Sequence, residues 1–197
     1  MIDQLSLFLH VLAAIGLVGG GIMQVMVGAR LRRATTAADI ARWGSFAQTA
    51  GVLMIVSAVV SLLTGGHLAG AVWTTDERSG FSYPFITLGM AALVVLAPVG
   101  PMLGGGRLRR IVERTHRRET AADLNALQAD VRSSSVWGPV HSLVGVGVGL
   151  VWVMTAKPGW LATAVVLLGS FVLGWISGLL VSSRPRQSAA RSTERRD

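Results

Sequence analysis

Side chains able to bind a ligand are few in this sequence, and most of them sit inside apolar runs. His10 follows Leu7-Phe8-Leu9, His67 follows Gly65-Gly66, and Lys157 precedes Pro158. Two neutral imidazoles on neighbouring helices suit haem or a transition metal, which makes His10 and His67 candidate ligands for haem b or copper. Lys157 is a candidate partner for a carboxylate or a haem propionate. The competing account is hydration of His67 near a membrane surface and snorkelling of Lys157. Gln24, Gln48 and His141 make a second set. An interhelical polar network accounts for them, with a proton or ion path as the sharper alternative. Met23, Met26, Met54, Met90, Met102 and Met154 are scattered over the apolar runs. Soft thioethers bind Cu(I), but scattered methionine more often fills cores. His116, among Arg114, Arg117 and Arg118, reads as solvated.

Much chemistry is excluded. With no cysteine in the chain, disulfides, thiolate metal sites and iron–sulfur clusters have no ligands here. No nucleophile elbow, HExxH motif or phosphate loop is present. Gly145-Val146-Gly147-Val148-Gly149 lies inside an apolar run without a preceding strand and reads as helix packing. All ten acidic residues fall outside the apolar runs, which argues against an ordinary proton-driven transporter.

The elements that must position these residues are membrane helices. The chain is 51% apolar and only 14% charged, against about 25% charged in an ordinary soluble domain. The reading is an all-α integral membrane bundle of five transmembrane helices, spanning about 5–28, 46–72, 84–103, 136–155 and 160–181, each near the ~20 residues a hydrocarbon core requires. The bundle occupies 1–183, and 184–197 is a disordered, basic cytoplasmic tail. The first span lacks a basic leader and reads as a retained helix inserted N-terminus outside. Five crossings put sixteen of the eighteen Lys and Arg residues on one side and leave Arg78 and Lys157 on the other. The positive-inside rule makes the first side cytoplasmic and the location a bacterial plasma membrane. Trp73, Phe81 and Tyr83, then Trp152 and Trp160, fall at outer interfaces, and Trp43 and Trp137 at cytoplasmic ends.

The two cytoplasmic loops resemble each other. Arg30-Leu31-Arg32-Arg33 precedes Thr36-Ala37-Ala38-Asp39, and Arg107-Leu108-Arg109-Arg110 precedes Thr120-Ala121-Ala122-Asp123. Each threonine is placed to cap a helix feeding the next span, and the likeness raises a 2 + 2 parallel repeat plus one appended helix. Ile111, Val112, Leu124, Leu127 and Val131 give the longer loop an apolar stripe. Gly16 with Gly20, Gly145 with Gly149, and Gly174 with Gly178 are small-xxx-small pairs for close helix approach. Pro98 and Pro101 should kink or break the third span. The net charge of +8 fits anionic lipids at the basic loops and tail rather than nucleic acid. A membrane-protein partner or a second copy of the chain completes the expected partners.

Leu7-Phe8-Leu9-His10-Val11-Leu12-Ala13-Ala14 with Gly19-Gly20, and Val153-Met154-Thr155-Ala156-Lys157-Pro158, resemble the opening span and a later Lys-Pro span ending of a broad bacterial membrane superfamily. That group includes copper-resistance protein D, the HemJ-type protoporphyrinogen oxidase and several uncharacterised integral membrane families, one of which is the nearest likeness. The resemblance implies a helical bundle and, in the HemJ-type branch, haem held with help from His10 and Lys157. The aromatic expected between the first histidine and the glycine pair is missing, with Leu17 near its place, and the loop after span one is Arg-rich instead of carrying that branch's motif. The leading expectation is a haem- or metal-binding membrane protein with its site near the outer face. A non-catalytic scaffold and a small-molecule or metal transporter are the alternatives, and the chain reads as a non-enzyme.

Overall fold

A computed structural model describes residues 1–99, 105–115 and 121–182 of the chain. Every regular element among them is helical: α1 (Ile2–Arg33), α2 (Ala37–Ala71), α3 (Pro84–Val99), α4 (Gly106–Thr115), α5 (Ala121–Arg132), α6 (Ser134–Ala156) and α7 (Trp160–Ser182). A short 3-10 turn, Gly80–Ser82, precedes α3. Among the described residues, four helical stretches are long and apolar enough to cross a membrane: α1, α2, Asp123–Ala156 and α7. The all-helical architecture and the membrane character read from composition therefore hold. α3 is apolar but has 16 residues, about 24 Å at 1.5 Å per residue, and Pro101, Met102 and Leu103 at the end of the expected third span lie outside the described residues.

Local chemistry sets the helix ends. Thr36 accepts the Asp39 backbone N–H at 3.1 Å and its hydroxyl donates to the Asp39 carboxylate at 2.9 Å, so α2 starts at a true N-cap. Its counterpart Thr120 lies outside the described residues. Ser133 caps α6 through the Ser135 N–H. Pro84 opens α3, where its missing N–H costs nothing. α6 stops at Lys157, which adopts left-handed backbone with φ 49° and donates its N–H to Val153. Pro158 follows and cannot continue the helix.

α1 lies along α2 and α6 along α7 as the two most extensive pairings, with α1 also against α6. Small residues explain why these pairs come close. A methyl group added at Gly20 would meet Met54 Cγ at 2.7 Å, and one at Gly16 would run into the Ser57 hydroxyl. Gly145 and Gly149 face Ser170 of α7, while Gly174 and Gly178 lie on the α6 backbone at His141–Ser142 and Trp137–Gly138. All three small-xxx-small pairs thus sit at helix contacts. The outward faces carry bare aliphatics such as Leu12 and Ile15 on α1 and Leu161, Leu168 and Leu173 on α7, a surface suited to lipid rather than water.

The longer basic loop is not an appendage. α4 and α5 turn Leu108, Ile111, Leu127 and Val131 into one buried cluster with Val27 and Leu31 of α1, Ile40 and Ala47 of α2, and Trp137 of α6. Val112 packs against Gly44 of α2. Polar contacts tie down the rim: Arg114 bonds Asp130 across α4 and α5 at 2.8 Å, Gln128 donates to the Thr35 carbonyl at 3.4 Å, and Arg107 to the Ser135 carbonyl at 2.9 Å. The result is a cap over the arginine-rich end of the bundle. Trp137, expected at an interface, is instead 1% exposed.

Candidate functional site

At the end of the bundle where α1 begins, His10 points at α2. Its Nδ1 lies 3.1 Å from the Ser61 carbonyl and 3.2 Å from Thr64 Oγ1. A carbonyl can only accept, so Nδ1 carries the hydrogen and the neutral ring offers Nε2 as its lone pair. Gly65 makes room for the ring, since a methyl there would sit 3.0 Å from His10 Cε1. His67 has a different partner: its Nε2 lies 3.0 Å from the Asp3 carboxylate. Asp3 precedes His10 by seven residues, about two helical turns, so the two histidine contacts lie at different heights along the α1–α2 pair. Lys157 places its ammonium 4.8 Å from the centre of the Trp73 ring, beside the Trp73, Tyr83 and Phe85 aromatic cluster. Each of the three side chains thus has its own neighbour. Among the described residues, no group of three or more His, Cys, Asp or Glu side chains is placed to hold a metal ion.

The second set divides as well. Gln24 is buried and donates to the Ala47 carbonyl of α2 at 2.7 Å. Gly51 lies beside it, a methyl there standing 3.2 Å from Gln24 Nε2. His141 instead faces α7, with Nδ1 3.1 Å from Ser177 Oγ. Both side chains bridge two helices, as polar groups in apolar surroundings must, but through separate bonds rather than one network.

Between these features is a cavity of about 450 Å³. It runs between α1, α2, α3 and α6 and ends under the start of α4. Its walls are mainly aliphatic, with Leu17, Val52, Ile55, Leu93, Leu143 and Leu150 among them. Gln24, Gln48 and Arg109 also line it and lie toward the capped end. Arg109 bonds Glu113 through Nε at 2.8 Å, one of the five donors of its guanidinium. A site of this size, with apolar walls and few polar groups, has the form of a small-molecule pocket.

No protein-family model, curated protein or solved structure matches the chain. The site is therefore read from its own geometry.

Gln24 and Gln48, grouped from the sequence, both line the cavity, which itself was not legible because its walls are aliphatic residues indistinguishable from core. Arg109 was visible only as one of many loop arginines. The available signal was Gly104-Gly105-Gly106 ahead of Arg107-Leu108-Arg109, where side-chain-free residues lead into a helix with a strongly apolar face. Arg32 was missed for the same reason. Its guanidinium stacks on Trp137, 4.5 Å from the ring centre.

Proposed function

We propose that the chain crosses a bacterial plasma membrane five times, N-terminus outside and basic tail in the cytoplasm, and holds an apolar molecule with one polar end in the cavity beneath α4. The cavity itself carries this reading. Its volume of about 450 Å³ lies in the usual range for small-molecule sites, about 300–1,000 Å³. Gln24, Gln48 and Arg109, the polar side chains among the lining residues, would orient the polar end toward the cytoplasmic cap. The chain acts here as a binding or carrier protein. Orientation rests on the distribution of arginine, and the fifth crossing on the apolar character of α3.

Gly147→Leu tests the proposal. Gly147 lines the cavity, and a Cβ there makes ordinary contact with Leu17 at 3.7 Å, so a leucine fills the space without moving a helix. Extraction and mass spectrometry of purified protein should find a molecule bound to the wild type and at least about tenfold less in the variant, the loss expected for about 1.4 kcal/mol of binding. A wild type without a stoichiometric guest, or a variant carrying as much, contradicts the reading.

One observation favours a second reading, haem or a metal ion at His10. Its Nδ1–H bond to the Ser61 carbonyl fixes the ring and exposes Nε2, the arrangement found behind metal-bound histidines. The resemblance at His10 and Lys157 points the same way. A Soret band in the same preparation, lost in His10→Ala, would favour it over the cavity reading.

A further inference from the structure

We propose that the cavity takes a single-chain membrane amphiphile with an oxyanion head, a carboxylate or a phosphate, held by Arg109 beside Gln48. The inference rests on the cavity reading above and names its ligand class. Shape favours one chain. The lining follows α2 from Ala47 to Ala58, about 16 Å at 1.5 Å per residue. A volume of about 450 Å³ drawn out over that length suits one extended hydrocarbon chain. One side is open. Val52 and Ile55 line the cavity, yet they are 59% and 36% exposed, on the face of α2 that also bares Val56 and Val59. Gly16 and Gly20 close α1 tightly against α2, which leaves the α3 side of α2 as the opening. In a bilayer that face meets lipid tails, so a chain can slide in from the membrane without passing the cap.

The polar groups gather at one end. Gln24 donates to the carbonyl of Ala47, the residue before Gln48. One turn earlier on α2, Gly44 packs on Val112 and Leu108 of α4, and Leu108 adjoins Arg109. The opposite end, at Leu17, Ala58 and Leu150, is aliphatic. Charge decides the head. Arg109 is the one charged side chain among the lining residues. Glu113 occupies its Nε, while its two terminal nitrogens have no acceptor among the described residues, and the Gln48 amide has no partner there either. Arg107 and Arg110 flank it, donate to the Ser135 and Gly106 carbonyls, and pair with no carboxylate among the described residues. The field at this end therefore favours an anion, and a guanidinium with free N–H groups matches an oxyanion in geometry. The exposed position of Arg109 keeps the head hydrated while the chain lies in the apolar depth.

Native mass spectrometry of the full-length protein in non-ionic detergent tests this, with palmitate, hexadecanol and lysophosphatidylglycerol added in turn. Palmitate and hexadecanol share one chain length and differ in charge. Wild type should retain palmitate at least about tenfold more tightly, the worth of one hydrogen bond to a charged group. Arg109→Gln should bring palmitate down to the hexadecanol level and leave hexadecanol itself unchanged. Arg110→Gln removes the same charge from α4 outside the cavity lining and should leave palmitate binding intact. Equal losses in these two variants would mean surface attraction only and overturn the proposal. Lysophosphatidylglycerol retained in place of palmitate, with the same sensitivity to Arg109→Gln, supports the site and assigns it a phosphate head. Palmitate and hexadecanol retained alike, both lost in Gly147→Leu and both indifferent to Arg109→Gln, would overturn the anionic ligand and leave the cavity reading standing. No retention of either anionic probe also overturns the proposal, while the guest extracted from wild type decides the cavity reading separately.

Discussion

Gly178→Ala should separate α7 from α6 and cost far more stability than a methyl group placed on an open glycine of the same helix. The added carbon would fall onto the Trp137 carbonyl, with Trp137 C at 2.7 Å and Gly138 Cα at 2.8 Å. These are backbone atoms of a helix, which cannot rotate away as a side chain does. Gly174→Ala meets the same obstacle at the His141 carbonyl and Ser142 Cα. Overpacking of this kind costs about 1–3 kcal/mol, and more where a whole helix must shift. Gly169→Ala is the control, because nothing lies within 4 Å of its added carbon and the helix gains up to about 1 kcal/mol of propensity. Unfolding in graded denaturing detergent should rank Gly169→Ala at or above wild type and both other variants well below it. Equal stability of Gly178→Ala and Gly169→Ala would mean that the two helices do not meet along this face.

Trp137→Ala should have the largest effect of any side-chain truncation. The ring is almost wholly buried, fills the space left by Gly28, donates from Nε1 to the Val131 carbonyl at 2.5 Å and supports the Arg32 guanidinium. Truncating a buried aromatic costs about 3–5 kcal/mol. The lost bond to Val131 also frees the C-terminal turn of α5 from α6. Hydrogen exchange should therefore accelerate across α5 and the α4 face beneath it, while the halves of α1 and α2 far from the cap change little. Trp152, about half exposed, gives the comparison: Trp152→Ala should leave exchange in α5 unaltered. Unaltered α5 exchange in Trp137→Ala would contradict the role of this ring as the anchor of the cap.

These contacts show which features the sequence made legible. Apolar runs located the helices because a span must be uniformly apolar, whatever packs against it. The expected 5–28 and 46–72 became α1 and α2, which begin earlier or run on past the apolar run, since the loop between them is a tight turn with a threonine cap. The last two spans match α6 and α7 within two residues at each end, because Ser133 and Lys157-Pro158-Gly159 mark their limits. The third is different. Pro84 marks its start, and α3 is described to Val99, where Gly100 and Pro101 follow in the sequence. Side-chain partners were less legible. His10 and His67 lie at similar distances from a helix end, and depth alone suggested a shared site. The rotation of each helix, set by which glycines face the neighbouring helix, gives His67 to Asp3 and His10 to Ser61. Trp137 looked interfacial by position and is core because α5 folds back over it, a long-range event with no local mark.

The account stands on the course of the chain through the bilayer, and α3 is its decisive element. Because the sequence contains no cysteine, single cysteines placed at Thr35, Thr75, Asn125 and Gly159 can each be labelled with a membrane-impermeant maleimide in intact cells and again after permeabilisation. Five crossings predict that positions 75 and 159 label in intact cells, and that 35 and 125 label only once the membrane is opened. Labelling of 125 from outside, with 35 still protected, would mean that α3 does not cross, and would contradict the shared cap on which the cavity depends.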